Sequence, residues 1–406
     1  MNESLRIKFE PLRHFVALRR LRRKKTIRCA FFVLSESVWK YDYVFRLMLA
    51  SPRFEPFILV CPRMGWGEEF TQVKMDAAVE YFEKKAYPTY VAFDKATGKY
   101  MDVRKELRPD IIFYCSPYEG VIHQDYFITN FPDKLTVYVP YAFNNSNDFS
   151  NSYDLLLHNL VWRYYAESEE HKKYAEGVAR NKGRNVVVTG YPGIDPYMDK
   201  SYVPSFGDWK VKDPELKRII WAPHHTIADA GTIIYSCFLR YCDLMPQLAE
   251  KYSDKAQFVF KPHPLLRPKL ELSWGKEKTD DYYRQWEEMP NTSYSEGNYV
   301  DLFLTSDAII HDSGSFITEY LFVNKPVMRT MNDYPVDEMY NEFTRRSLEY
   351  YYKGYSAEDI EEFIVNVIDG VDPMKEAREA FVKSELMPAE SPSARIVKDI
   401  LESIEG

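Results

Sequence analysis

The feature that most narrows the fold is a rhythm in which short apolar runs alternate with stretches of helical spacing. It is clearest at residues 307–329. Ala308-Ile309-Ile310 is an apolar run of buried-strand character, and His311-Asp312-Ser313-Gly314-Ser315 is small and polar, so the chain turns. Phe316, Ile317, Tyr320, Leu321 and Val323 then fall at helical spacing. Lys325-Pro326 stops that helix, and Val327-Met328 open another strand. Strand, turn, helix and strand in this order form a parallel pair joined by a crossover. Repeated along a chain, that unit builds a doubly wound sheet.

The same rhythm predicts strands at 26–34, 56–61, 89–93, 111–115, 135–139 and 186–189. A second series follows at 218–222, 257–261, 292–294, 308–310 and 327–330. Helices are predicted at 41–49, 71–84, 233–251, 280–288, 300–304, 357–367 and 394–405. A segment rich in Pro, Ser and charge runs to about residue 216 and reads as a linker. The expected fold class is α/β, with two doubly wound Rossmann-type domains and an interdomain cleft, a GT-B-like arrangement. The expected parts are a basic N-terminal arm at 1–25, one Rossmann-like domain at 26–205, a second at 206–390, and a C-terminal helix at 391–406.

Composition excludes several classes. A net charge of −8 and a pI near 5.7 argue against general nucleic-acid binding. Five scattered cysteines, three of them in or beside apolar runs, predict a reducing compartment with no disulfide framework and no zinc site. No apolar run approaches the roughly 18 residues of a membrane span, and the first apolar run is too short for a signal peptide. Against the acidic background, Arg13, Arg19, Arg20, Arg22, Arg23, Lys24, Lys25 and Arg28 lie close together with Leu12, Phe15, Val16, Leu18 and Leu21 between them. A basic amphipathic segment of this kind predicts a surface that meets anionic lipid, although a solvated arm has the same composition.

Three elements follow strands of the second series, where parallel sheets bind their ligands. Pro223-His224-His225-Thr226 is the first and Lys261-Pro262-His263-Pro264 the second. The third is His311-Asp312-Ser313-Gly314-Ser315, with Glu319 further along. The Ser-Gly-Ser turn would offer backbone N–H groups and a helix dipole to a phosphate, or simply cap the helix. His263, held between prolines, is suited to donate to a phosphate or to act as acid or base. Thr226, Lys261 and Arg329 are further candidates for a phosphate, and Glu319 for ribose hydroxyls. The histidines occupy separate loops without helical ligand spacing, so neither a metal nor a cofactor is expected.

As an ordered set these motifs resemble the teichoic-acid CDP-glycerol glycerophosphotransferases and their capsule-polymer relatives. Thr189-Gly190-Tyr191-Pro192-Gly193-Ile194-Asp195 is similar to that family's Thr-Gly-Tyr-Pro-Arg-Asn-Asp, and Ile220-Trp221-Ala222-Pro223-His224 to its strand ending in Tyr-Ala-Pro-Thr. Lys261-Pro262-His263-Pro264 matches its Lys/Arg-x-His-Pro. Residues 302–326 resemble its Ser-Asp, Thr-Asp-Tyr-Ser-Ser and Asn-Lys-Pro segment, and Ser393-Ala394-Arg395-Ile396-Val397 its last helix. The resemblance implies a GT-B fold with an acceptor domain followed by a nucleotide-donor domain, and peripheral attachment to the inner face of the cell membrane. It also implies transfer of a polyol phosphate from a CDP-linked donor to a lipid-linked or polymer acceptor, releasing CMP. It assigns His263, Ser313, Gly314 and Ser315 to the donor phosphates.

Residues 138–144 lack the histidine that the family carries as its base. Base candidates are therefore His224, His225 and His311. Asp312-Ser313-Gly314 with Glu319 also looks like the non-hydrolysing UDP-N-acetylglucosamine 2-epimerases. An epimerase or a nucleotide-sugar glycosyltransferase is the second expectation, and an inactive nucleotide-binding member the third.

Overall fold

The computed structural model describes residues 2–65, 67–227 and 235–406. The chain divides into two compact units. Unit 1 comprises 1–144, 148–198 and 388–406, and unit 2 comprises 145–147 and 199–387.

Unit 1 holds a seven-stranded, all-parallel sheet. Its strands are β1 (Ile27–Val33), β2 (Phe54–Val60), β3 (Thr89–Val91), β4 (Ile111–Tyr114), β5 (Leu135–Tyr138), β6 (Arg163–Ala166) and β7 (Val186–Val188), in the order β3-β2-β1-β4-β5-β6-β7. The pleat sends alternate side chains to opposite faces. Cys29, Phe31 and Val33 enter one core, while Ala30, Phe32 and Leu34 enter the other. Both faces are covered, which is why the strands are continuous apolar runs.

The basic N-terminal stretch is not a detached arm. Residues Glu3–Leu21 form helix α1, capped at its start by the Asn2 side chain. Ile7, Ala17 and Leu21 are buried against unit 1. The expected separate C-terminal segment is also part of unit 1. Helix Pro392–Glu405 packs Ile396, Val397, Ile400 and Ile404 into the same core as β1.

Unit 2 holds six parallel strands: β8 (Lys217–Ala222), β9 (Ala256–Phe260), β10 (Thr292–Tyr294), β11 (Ala308–His311), β12 (Val327–Thr330) and β13 (Tyr352–Gly354). Their order is β10-β9-β8-β11-β12-β13. The chain passes into unit 2 after Met198, earlier than the expected boundary at 205.

Two predicted helices differ. The helix expected at 233–251 is split into Phe238–Tyr241 and Leu244–Lys251, and its first two residues lie outside the described residues. The helix expected from Phe316 is two short 3₁₀ turns, Gly314–Phe316 and Glu319–Val323, closed by Asn324 at φ 48°. Aromatic and β-branched side chains dominate this stretch and disfavour a regular α-helix.

Candidate functional site

In unit 2 the loops after β8, β9 and β11 leave the sheet at its carboxyl edge. They are tied together by their own backbones. The His263 N–H donates to the Pro223 carbonyl at 3.0 Å, and the Lys261 N–H to the Trp221 carbonyl at 2.8 Å. The two loops therefore bring His224, His225 and His263 into one group. Ring centroids lie 4.3 Å apart for His224–His225, 5.1 Å for His224–His263 and 4.3 Å for His225–His263.

Each imidazole is held differently. The Leu265 N–H donates to Nδ1 of His263 at 3.1 Å. Nδ1 is thus an acceptor, and the proton of the neutral ring sits on Nε2 as a donor. Nδ1 of His224 meets the Thr226 hydroxyl at 3.0 Å, and that hydroxyl accepts from the Tyr235 N–H at 2.8 Å. Among the described residues, Nδ1 of His225 is buried without a hydrogen-bond partner. Burial pushes the His225 imidazole down to about 4, with Lys269 nearby acting in the same direction. Burial also takes His224 well below its usual range, helped by its two histidine neighbours. Both are neutral at pH 7.

The three histidines have ring nitrogens within 4.8 Å of one another, close enough to share a metal ion. The donor set argues against that use. A metal needs a lone pair, and the Leu265 contact leaves a proton on Nε2 of His263. The same geometry suits an anion, which takes a donated proton.

Asp312, which sequence reasoning left out of the site, organises it. Its carboxylate accepts from the His224 N–H at 2.5 Å and the Cys237 N–H at 2.6 Å, with the Thr330 hydroxyl at 3.4 Å. Burial raises its carboxyl to about 6, and the two backbone donors partly oppose that. An acidic residue directly after a strand was the available signal.

Several expected contacts are directed elsewhere. His311 is buried, with Nε2 at 3.3 Å from the Tyr351 hydroxyl, and burial takes it down to about 3. It is enclosed by the protein and does not face solvent. Glu319 is fully buried, and its carboxylate accepts from the Tyr299 hydroxyl at 2.5 Å, because it falls on the core side of its 3₁₀ turn. Arg329 is buried, paired with Asp337 and stacked over Tyr340 at 5.2 Å. Lys261 is buried too, and its ammonium donates to the Gly297 carbonyl at 3.1 Å.

The Ser-Gly-Ser turn follows β11 as expected, but its support differs. Ser313 makes no capping hydrogen bond, and the short 3₁₀ turn supplies no long helix dipole. What remains for an anion are the N–H groups that open the turn, together with the exposed Ser315. Gly314 is closely packed: a Cβ there would lie 2.6 Å from Nδ2 of Asn145, which would have to shift. Asn145 comes from the segment 145–147, which joins unit 2 through hydrogen bonds to Asn341 and Met339. No local sequence signal marks that visit.

Comparison with known proteins bears on this geometry. A sequence profile described as CDP-glycerol:poly(glycerophosphate) glycerophosphotransferase matches residues 143–387, more than half of the chain. Among curated proteins, the teichoic acid ribitol-phosphate polymerase TarL of Staphylococcus aureus (strain NCTC 8325 / PS 47) is 26% identical over 179 residues. That match covers 43% of this chain and 30% of TarL, so the chain spans less than a third of that relative in the matched region. Among solved structures, the wall teichoic acid polymerase TagF aligns with TM-score 0.58 and 13% identity, over 98% of this chain and 94% of that one. The UDP-GlcNAc 2-epimerase from Neisseria meningitidis aligns with TM-score 0.55 and 16% identity, over 93% of this chain and 100% of that one. At such identities the likeness is one of fold, and the fold is GT-B-like.

Proposed function

This chain belongs to the CDP-glycerol:poly(glycerophosphate) glycerophosphotransferase family, and from that premise we propose that it transfers a polyol phosphate from a CDP-linked donor to a hydroxyl of a surface-polymer acceptor. The acceptor oxygen attacks the phosphorus that carries the polyol. A new P–O bond forms, the P–O bond to CMP breaks, and CMP leaves with the electron pair. The protein's part is positioning and charge stabilisation.

The observation that carries this reading is the fixed Nε2–H of His263 beside two neutral imidazoles at the carboxyl edge of the sheet. His263 donates to a donor-phosphate oxygen. Ser315 and the N–H groups of the Ser313–Gly314 turn serve the same phosphates. Thr226 holds the ring of His224 rather than the ligand. His225 takes the acceptor proton, because its ring is only partly buried whereas His311 is fully buried. His311, Glu319, Lys261 and Arg329 act as positioning residues.

The acceptor is lipid-linked or polymeric, and the work is done at an anionic membrane surface. Among the described residues no helix is long and apolar enough to cross a membrane. Helix α1 instead has two faces. Ile7, Ala17 and Leu21 are buried on one side, while Leu5, Phe9, Leu12 and Val16 form an exposed apolar stripe on the other. Lys8, Arg13, Arg19 and Arg20 flank the stripe, the pattern of a helix lying in the membrane interface.

The test is release of CMP from CDP-glycerol or CDP-ribitol. Release that requires a lipid-linked acceptor is the expected result. Release without acceptor, or none with either donor, defeats the reading. An epimerase would instead exchange solvent deuterium into UDP-N-acetylglucosamine.

A further inference from the structure

We infer that unit 1 carries a receptor for one hydrocarbon chain of an anionic membrane lipid, in the cavity behind helix α1. The inference deepens the reading of α1 as a membrane-facing helix and rests on it.

The cavity has a volume of about 330 Å³. That is room for roughly eleven groups the size of a water molecule, at the small end of ligand sites. Its apolar wall is Ile7, Pro11, Phe15 and Leu18 of α1, facing Val161 and Trp162. The cavity opens to solvent and its accessible wall is mainly apolar, so an apolar guest would displace water from it.

Apart from Arg184, the polar side chains on its wall are engaged within the protein. Asn159 donates to Asp154 at 2.8 Å. Asn185 donates to the His158 and Val161 carbonyls at 2.8 Å each. Arg163 is paired with Asp399 at 2.8 Å, and Glu10 with Arg13 at 3.0 Å. A polar guest would gain little here, whereas a hydrocarbon chain would gain burial.

Two features select a lipid. Phe15 lines the cavity yet is half exposed. On the helix surface it neighbours Leu12 of the stripe (three residues before) and both Pro11 and Leu18 of the cavity. The apolar stripe and the cavity are therefore continuous across one ring. At the rim stands Arg184, exposed, with its Nε held by the Asn181 carbonyl at 2.9 Å. Among the described residues it has no ion pair, so its guanidinium is available to a lipid phosphate.

Dodecyl phosphate, below its micelle concentration, is the probe, and binding to the full chain is read by calorimetry. Wild type binds it, and dodecyltrimethylammonium binds at least tenfold more weakly. Leu18→Trp, which fills the cavity, weakens dodecyl phosphate at least tenfold, and Arg184→Glu about fivefold. Should Leu18→Trp unfold the unit, Phe15→Asp at the exposed mouth takes its place with the same expected loss. Failure of wild type to bind dodecyl phosphate, or undiminished binding by the cavity variant, overturns the inference.

Co-sedimentation with anionic vesicles tests the membrane reading separately. Leu12→Asp abolishes it while leaving dodecyl phosphate binding within twofold. Wild type that ignores vesicles yet binds dodecyl phosphate sinks the membrane reading and leaves the cavity standing. The reverse pattern sinks the cavity alone.

Discussion

Two turns in this molecule follow parallel strands, and both contain glycine and small polar residues. They serve opposite ends. The turn after β7 spends its groups on its own chain. The Val188 and Thr189 carbonyls accept from Arg395, and Asp195 accepts from the Ser393 N–H at 3.1 Å. Gly190 sits at φ +88°, where a Cβ would meet the Pro392 ring at 3.0 Å. The turn is a clasp for helix Pro392–Glu405. The turn after β11 spends Asp312 on pinning its neighbours and packs Gly314 against Asn145, but it leaves Ser315 exposed beside the histidine loops. Since each buried backbone group must find a partner, a turn becomes a site through what its own chain leaves over.

The largest effect should come from the residue that offers most to a ligand. His263→Ala is expected to lower kcat/KM by about 10²–10³-fold, the usual loss for one transition-state donor. The melting temperature should stay within about 2 °C. His263→Gln keeps an N–H donor and should recover part of the loss. Equal loss in both variants would mean that His263 acts as a base instead.

The clasp should behave in the opposite way. Gly190→Ala forces an alanine into positive φ and against Pro392, which should cost about 2 kcal/mol. The readout is the unfolding midpoint, with the kcat of the folded fraction within twofold of wild type. A large loss of kcat without a loss of stability would make that turn a ligand site after all.

Much of this division was legible in the sequence, and the unread parts have physical reasons. The central strands announced themselves as apolar runs because both sheet faces are covered. The strands β6 and β13 did not, since Arg163 and Lys353 interrupt their short apolar patterns. The histidine loops could be read because each follows a strand. The fates of Glu319 and Arg329 could not, because they depend on Tyr299 and Asp337, which come from other elements. The pattern at 316–323 resembled an α-helix by spacing, while the residue types favoured the tighter turns that formed. Asn145 reaches Gly314 from far along the chain, and periodicity carries no information about such a visit.

Gly314→Ala probes that visit and should have a smaller effect. Asn145 is the flexible end of a side chain, so it can give way, at about 1 kcal/mol. Turnover should fall about tenfold as the turn shifts, and adding Asn145→Ala should restore most of it. No recovery in the double variant would mean that Asn145 itself matters to the reaction.

The smallest effect compares the two buried aspartates, one in each turn. Asp312 has its carboxyl raised to about 6 by burial, and burial raises Asp195 as well, against hydrogen bonds from Ser391 and Ser393. A raised carboxyl binds its proton more tightly folded than unfolded. Between about 3.8, its reference value, and about 6, the folded state therefore holds more protons, and its stability falls as pH rises. The buried histidines act oppositely. His225, at about 4, and His311, at about 3, are neutral when folded, so they favour the folded state as pH rises toward 6.5. That background is common to wild type and to Asp312→Asn, so the difference between their unfolding curves isolates Asp312. The stability of wild type relative to Asp312→Asn should decline from pH 4 to 6 and level off above. Asp195→Asn should give a slope of the same sign. A flat difference for Asp312 across this range would mean that its carboxyl is not held in a dry environment, and that the loops it joins are pinned by something else.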